Sequence, residues 1–120
     1  MFRSNVSMNV RRGSDTVSIV DVQGEFTGFA ENVLMEAYTQ VNEDGARAII
    51  LNFAGLEYMN SSGIGLLATL LIRMNRQGQH LSVVGLSEHY RHIFELTRLD
   101  EAISIYETET EALKHLAGNM

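Results

Sequence analysis

The 120-residue chain contains no cysteine and no proline. Without cysteine there can be no disulfide, no thiolate-held zinc, no iron–sulfur cluster and no thiol nucleophile, so the fold rests on burial alone and suits a reducing, intracellular setting. Linkers, internal repeats and low-complexity tracts are lacking as well, and the glycines sit mainly where one element gives way to the next. Long apolar runs are also missing. The longest, Ile64 to Ile72, is interrupted by Gly65 and Thr69 and stopped by Arg73, well short of the roughly 20 residues that span a bilayer. The first thirty residues include Arg3, Arg11, Arg12, Asp15 and Asp21 and hold no apolar stretch of secretory-signal length. The expectation is a mature, cytoplasmic chain. Positive charge is scarce: nine Lys and Arg against fifteen Asp and Glu leave a net charge of −6, a field that repels nucleic-acid phosphates and anionic lipid. Neither direct nucleic-acid binding nor membrane insertion is expected.

What is present is ordinary globular composition, 45% hydrophobic and 20% charged, at a length suited to one domain. Val6 to Arg11 alternates weakly, Gly13-Ser14-Asp15 reads as a turn, and Thr16 to Gln23 is rich in Val and Ile, which predicts a hairpin ended by Gly24. From Ala30 the apolar positions Val33, Leu34, Ala37, Tyr38 and Val41 follow helical spacing, and Asn42-Glu43-Asp44-Gly45 closes that helix. Ala48 to Leu51 with Phe53 reads as a strand covered on both faces. A second helical stripe uses Ile64, Leu67, Leu71 and Met74 and breaks at Arg76-Gln77-Gly78. Leu81 to Gly85 is a further buried strand. Ser87 can cap a third helix with Tyr90, Ile93, Phe94 and Thr97 inward; Ile103 to Tyr106 is a last short strand. Thr108-x-x-Glu111 forms a capping box before a terminal helix that turns Ala112, Leu113 and Leu116 inward. Helix and strand alternate after the hairpin, so the fold class is α/β with a mixed sheet and a parallel interior.

The densest stretch for chemistry is Asn60-Ser61-Ser62-Gly63-Ile64-Gly65, where hydroxyls and glycines crowd a helix entry after a buried strand. Asn60, Ser61 or Ser62 can each cap that helix, and a capped helix packed on a sheet is commoner than a binding site. Gly63-x-Gly65-x-x-Ala68 matches a loose dinucleotide fingerprint, but some six residues separate it from the strand, and no acidic residue stands at the ribose-binding distance beyond it, Glu88 being the nearest. A hydrolase nucleophile elbow fails because Met59 stands where glycine is needed. His89, His92 and Glu95 share a helix face with metal-ligand spacing, yet with Glu88 and Arg91 they read better as a solvated side. Asp100, Glu101, Glu107, Glu109 and Glu111 read as a solvated acidic rim that favours the last helix's N-terminus. No nucleophile–base pair or metal set assembles, so no enzyme, metal or cofactor is expected.

Gly24-Glu25-Phe26-Thr27, Leu51-Asn52-Phe53, Met59-Asn60-Ser61-Ser62-Gly63-Ile64-Gly65 and Leu96-Thr97-x-Leu99, with Ile105-Tyr106 and Glu111-Ala112-Leu113, stand in an order and spacing that resemble the STAS domain of bacterial anti-sigma factor antagonists. The resemblance runs from about Val6 to Leu116 and makes residues 1–120 a single STAS domain. It implies a mixed sheet of four or five strands and a partner-switching role. In such a scheme the unphosphorylated antagonist binds an anti-sigma factor, a serine kinase of the histidine-kinase-like ATPase fold, and frees the sigma factor. The kinase phosphorylates the antagonist, and a serine phosphatase reverses the modification. By position the phosphorylated residue is Ser61, flanked by Asn60, Ser62, Gly63 and, from the previous turn, Thr27. Two departures stand out: Asn60 and Thr27 occupy places where the family usually has aspartate. Both can still cap a helix. The alternative is a STAS scaffold subunit of a signalling assembly or a lipid-transport complex, making constitutive contacts through the same helix.

Overall fold

The computed structural model describes residues 5–119. Strands β1 (Val6–Arg12) and β2 (Val17–Phe26) form the antiparallel hairpin, with Gly13 and Ser14 donating to the Val17 carbonyl across the turn. Then follow α1 (Glu31–Glu43), β3 (Ala48–Met59), α2 (Ser61–Arg76), β4 (His80–Val84), α3 (Glu88–Leu96), β5 (Ser104–Tyr106) and α4 (Glu109–Asn119). The five strands lie in sequence order, and β2 through β5 pair in parallel.

A sheet that grows in one direction through right-handed crossovers must put every crossover helix on the same face. Leu34 of α1, Leu67 of α2 and Phe94 of α3 accordingly join Val20, Val22, Ile49, Leu51, Phe53, Leu81 and Val83 in the main core. Among the described elements α4 alone covers the other face, where its Ala112 and Leu116 pack on Val17, Ile19, Ala48, Ile50 and Val84. The near-continuous apolar run of β3 follows from this two-sided burial. On β1, Val6, Met8 and Val10 face the main core, which leaves Ser7, Asn9 and Arg11 on the face of α4.

The structure corrects three local expectations. The hairpin does not end at Gly24. That residue takes φ +96° within β2, at a register irregularity, where a side chain would strike the Asn5 carbonyl, and the strand runs on to Phe26. Likewise β3 extends to Met59, so three residues rather than some six separate the strand from Gly63, and Asn60 alone stands between strand and helix. Polar positions from Asn52 onward hide this extension from a hydrophobicity reading. Thr97 is not an inward helix position. It is the exposed C-terminal cap of α3, its hydroxyl turned back to the Ile93 carbonyl at 2.8 Å.

Candidate functional site

The tight β3–α2 connection fixes the candidate site. Asn60 is the residue that caps: its backbone is extended, and its Oδ1 accepts from the Gly63 N–H at 2.9 Å. Gly63 is buried against the end of β2. A Cβ there would overlap the Phe26 carbonyl oxygen and lie 2.9 Å from its carbon, so only glycine lets α2 start this close to the sheet. The Met59 N–H at the end of β3 is received by the Tyr90 hydroxyl at 2.9 Å, which ties α3 to the same corner. Tyr90 reads in the sequence as a core residue; its half-buried ring and its polar tip instead hold the strand end in place.

Ser61 and Ser62 are thereby released from capping. They occupy the first two positions of α2, both exposed, and neither hydroxyl has a hydrogen-bond partner among the described residues. Neither is held by a histidine or a carboxylate, as a nucleophilic serine would be. Beside them lies the short turn Gly28–Ala30, entered through Thr27, whose Oγ1 accepts from the Phe29 N–H at 3.2 Å. A Cβ on Gly28 would sit 3.3 Å from that of Ser62, so the two turns touch. Thr27, Asn60, Ser62 and Gly63 are thus gathered around Ser61, and the residues standing in place of the two aspartates each cap a turn.

Two large apolar side chains at this corner carry no sequence signal as site residues. Phe29 is 66% exposed and Tyr58 is 49% exposed. Phe29 belongs to the turn whose Gly28 touches Ser62, and Tyr58 directly precedes Met59 at the end of β3, so both exposed rings flank the start of α2 in the chain, and aromatic side chains of this kind suit protein contact.

The remaining candidates do not converge here. His89 lies edge-on to Tyr90, with ring centroids 4.9 Å apart, and His92 and Glu95 are exposed on α3. No group of three or more metal-ligating side chains occurs among the described residues. The dinucleotide pattern loses its separation argument because the turn is tight, but Gly63 is now accounted for by the Phe26 backbone and not by a pyrophosphate. No helix among the described residues is long and apolar enough to cross a membrane.

The acidic rim is only partly a rim. Glu111 and Thr108 make the capping contact, the Glu111 N–H donating to Thr108 Oγ1 at 3.1 Å, although the carboxylate reaches Glu107 N at 3.4 Å and not the cap residue's own. Glu109 turns inward. Arg11 donates through Nε and one Nη to both oxygens of Asp21 at 2.6 and 2.8 Å, and the same Nη reaches Glu109 Oε2 at 2.5 Å. Asn52 Nδ2 adds a bond to Asp21 at 2.9 Å. The arginine's hydrogen bonds hold the Asp21 carboxyl below its ordinary pKa, against the opposing effect of burial. The sequence reading passes over this clamp, although a signal was there: Asp21 stands between Val20 and Val22, and Asn52 interrupts the apolar run from Ala48 to Phe53.

Residues 8–112 match the family model of the STAS domain. The chain is 33% identical over 93 residues to the anti-sigma-B factor antagonist of Staphylococcus aureus (strain NCTC 8325 / PS 47), covering 77% of this chain and 86% of that protein. An anti-sigma factor antagonist from Mycobacterium paratuberculosis superposes with a TM-score of 0.76 at 26% identity over 92% of both chains. The phosphorylated form of the Bacillus cell-fate determinant SpoIIAA shares the fold, with a TM-score of 0.70 at 21% identity over 92% of this chain and 99% of that one.

Proposed function

The chain belongs to the STAS-domain family of anti-sigma factor antagonists, and on that premise we propose that it binds an anti-sigma factor and is switched by phosphorylation of Ser61. The observation that carries this reading is the division of labour at the start of α2. Asn60 does the capping, so the Ser61 hydroxyl is exposed, unbonded and free to accept a phosphoryl group.

The physics of a switch follows. A phosphoryl group on Ser61 would bring about two negative charges to the first turn of a helix, where the macrodipole and unpaired N–H groups favour them. The fold has no reason to change. The contact surface does change: the new charge and its hydration sit at the helix entry that Phe29 and Tyr58 flank in the chain, and burying them against a partner carries a desolvation cost on top of repulsion. With Asn60 and Thr27 neutral, the phosphate meets two fewer carboxylates than the family pattern would give it. The partner in this reading is a serine kinase of the histidine-kinase-like ATPase fold, with a serine phosphatase to restore the binding form, in the cytoplasm.

The test is a side-by-side capture from native lysate with wild type, Ser61→Ala and Ser61→Glu as bait. A kinase-fold protein retained by wild type and Ser61→Ala and lost with Ser61→Glu is the expected result, together with phosphate incorporation from ATP that Ser61→Ala abolishes. Unfolding of Ser61→Glu should stay within about 0.5 kcal/mol of wild type, as expected for an acidic residue in a first turn. Identical partners on all three baits would make Ser61 a bystander and the protein a constitutive scaffold.

A further inference from the structure

β3 is twelve residues long, so its two ends stand about 40 Å apart, and the end away from Ser61 carries its own concavity. This cleft of about 610 Å³ opens at the amino ends of the parallel strands, between the sheet and the last turns of α4. Arg47, Gly78, His80, Ser104, Tyr106 and Leu116 line it, drawn from four separate stretches of chain. Its size falls in the range of small-molecule sites, and its lining mixes polar side chains with the apolar surface of Leu116 and the Tyr106 ring.

The polar groups are fixed in place. Arg47 donates to the Gly78 carbonyl at 3.3 Å, while its backbone carbonyl receives the His80 N–H at 3.1 Å. His80 Nε2 and Ser104 Oγ lie 3.1 Å apart. Tyr106 stands two residues on from Ser104, hence on the same face of β5, and its ring leans on that of His115 with centroids 4.9 Å apart. Leu116 of α4 supplies the apolar side.

Two features bear on what the cleft could hold. Arg47 is exposed at its rim and forms no ion pair among the described residues, so its charge is open to a ligand. Ser82, the cross-strand neighbour of Ser104, is fully buried, and its hydroxyl has no hydrogen-bond partner among the described residues. Buried hydroxyls are normally satisfied, and an uncompensated one is costly. Both features lie at or directly beside one cleft.

We propose that this cleft binds a small organic anion, a carboxylate or phosphate monoester on an apolar or aromatic body. Arg47 and His80 would face the anionic group, Ser104 would add a hydroxyl contact, and Tyr106 and Leu116 would cover the body. The inference is independent of the Ser61 switch and stands if that reading fails.

The test titrates ¹⁵N-labelled full-length protein with phenyl phosphate and with benzoate, using inorganic phosphate and phenol as controls. The expected result is saturable shifts at the amides of Arg47, Gly78, His80 and Ser104 with one of the two aromatic anions. Arg47→Gln should weaken binding about tenfold or more, the loss of one charge-assisted contact, with an unchanged circular dichroism spectrum. Ser61→Ala should bind as wild type does. His80→Gln provides a second variant should Arg47→Gln disturb the strand entry. Absence of a saturable response to both aromatic anions, equal responses to inorganic phosphate alone, shifts centred elsewhere, or wild-type affinity in both Arg47→Gln and His80→Gln would each overturn the proposal.

Discussion

Gly63 and Gly65 stand two residues apart on the same helix for opposite physical reasons. Gly63 is demanded by the fold, because a methyl group would be driven into the Phe26 carbonyl. Gly65 is exposed, and a Cβ there would meet nothing within 4 Å. A helix-interior glycine costs about 1 kcal/mol relative to alanine, so nothing within the chain favours Gly65. Gly63→Ala should therefore destabilise by about 3 kcal/mol, the upper range for overpacking against backbone, whereas Gly65→Ala should stabilise by up to about 1 kcal/mol. Denaturant unfolding of the two variants reads both signs. A partner docked over Ser61 covers the first turns of α2, so if it uses the space left by Gly65, Gly65→Ala should gain stability and lose partner affinity together. A Gly65→Ala that binds as wild type does would place the contact elsewhere.

At the scale of elements, the Arg11 clamp docks the start of α4 onto the sheet. The guanidinium, on β1, joins β2 and α4, and the Asn52 amide ties β3 to the same Asp21 carboxylate. The Asp21 carboxyl has its pKa lowered in the folded state, first by Arg11 and then by the Asn52 amide, so the ionised form favours folding. That contribution is complete above the ordinary carboxylate value and is lost as pH falls through the depressed one. Arg11→Gln should cost about 1 kcal/mol near neutral pH, a modest figure because the side chain is part-exposed and screened. The gap between wild type and Arg11→Gln should narrow below about pH 4, where Asp21 of the unfolded chain takes up a proton while the folded wild type still holds its own ionised, and should close as the folded carboxyl protonates in turn. A gap that stays constant from pH 7 to about pH 3 would mean that the guanidinium packs but does not pair.

The same elements show what a sequence can and cannot convey. Helices α1 and α2 and the buried half of β3 were legible because helical spacing and two-sided burial leave strong periodic marks. The second half of β3 was not, since Ala54, Gly55 and Glu57 are exposed beyond the reach of α4 and the strand there is held by backbone pairing with β2. The helix entry around Ser61 stood out through its motif, but which of three residues caps the helix did not. That choice depends on the approach of Phe26 and Tyr90, both distant in sequence. Phe29, Tyr58 and the cleft around Arg47 become visible only when chain-remote segments meet.

Over the whole molecule, the two ends of the strands differ in charge. Glu25, Glu31, Glu57 and Glu88 are exposed at the end that carries Ser61, while at the other Arg47, Arg73 and Arg76 stand among the exposed acids Asp15, Glu43, Asp44, Asp100 and Glu101. A partner that docks on the Ser61 corner therefore meets a negative field and should itself be basic there. Opposite charge at a distance acts on encounter more than on the docked state, and it is screened over about 10 Å at 0.1 M salt. For the unphosphorylated chain and its anti-sigma factor, the association rate should fall steeply with added salt, while the dissociation rate changes little. The combined change Glu25→Gln, Glu57→Gln and Glu88→Gln should flatten that dependence, because it removes steering while leaving Ser61, Phe29 and Tyr58 in place. Phosphorylation should act in the opposite kinetic phase, raising the dissociation rate by placing charge inside the contact itself. Stopped-flow binding across a salt series, with wild type, the triple variant and Ser61→Glu, separates the two effects. A salt-independent association rate would mean that the acidic end is merely solvated and that recognition rests on the two exposed rings.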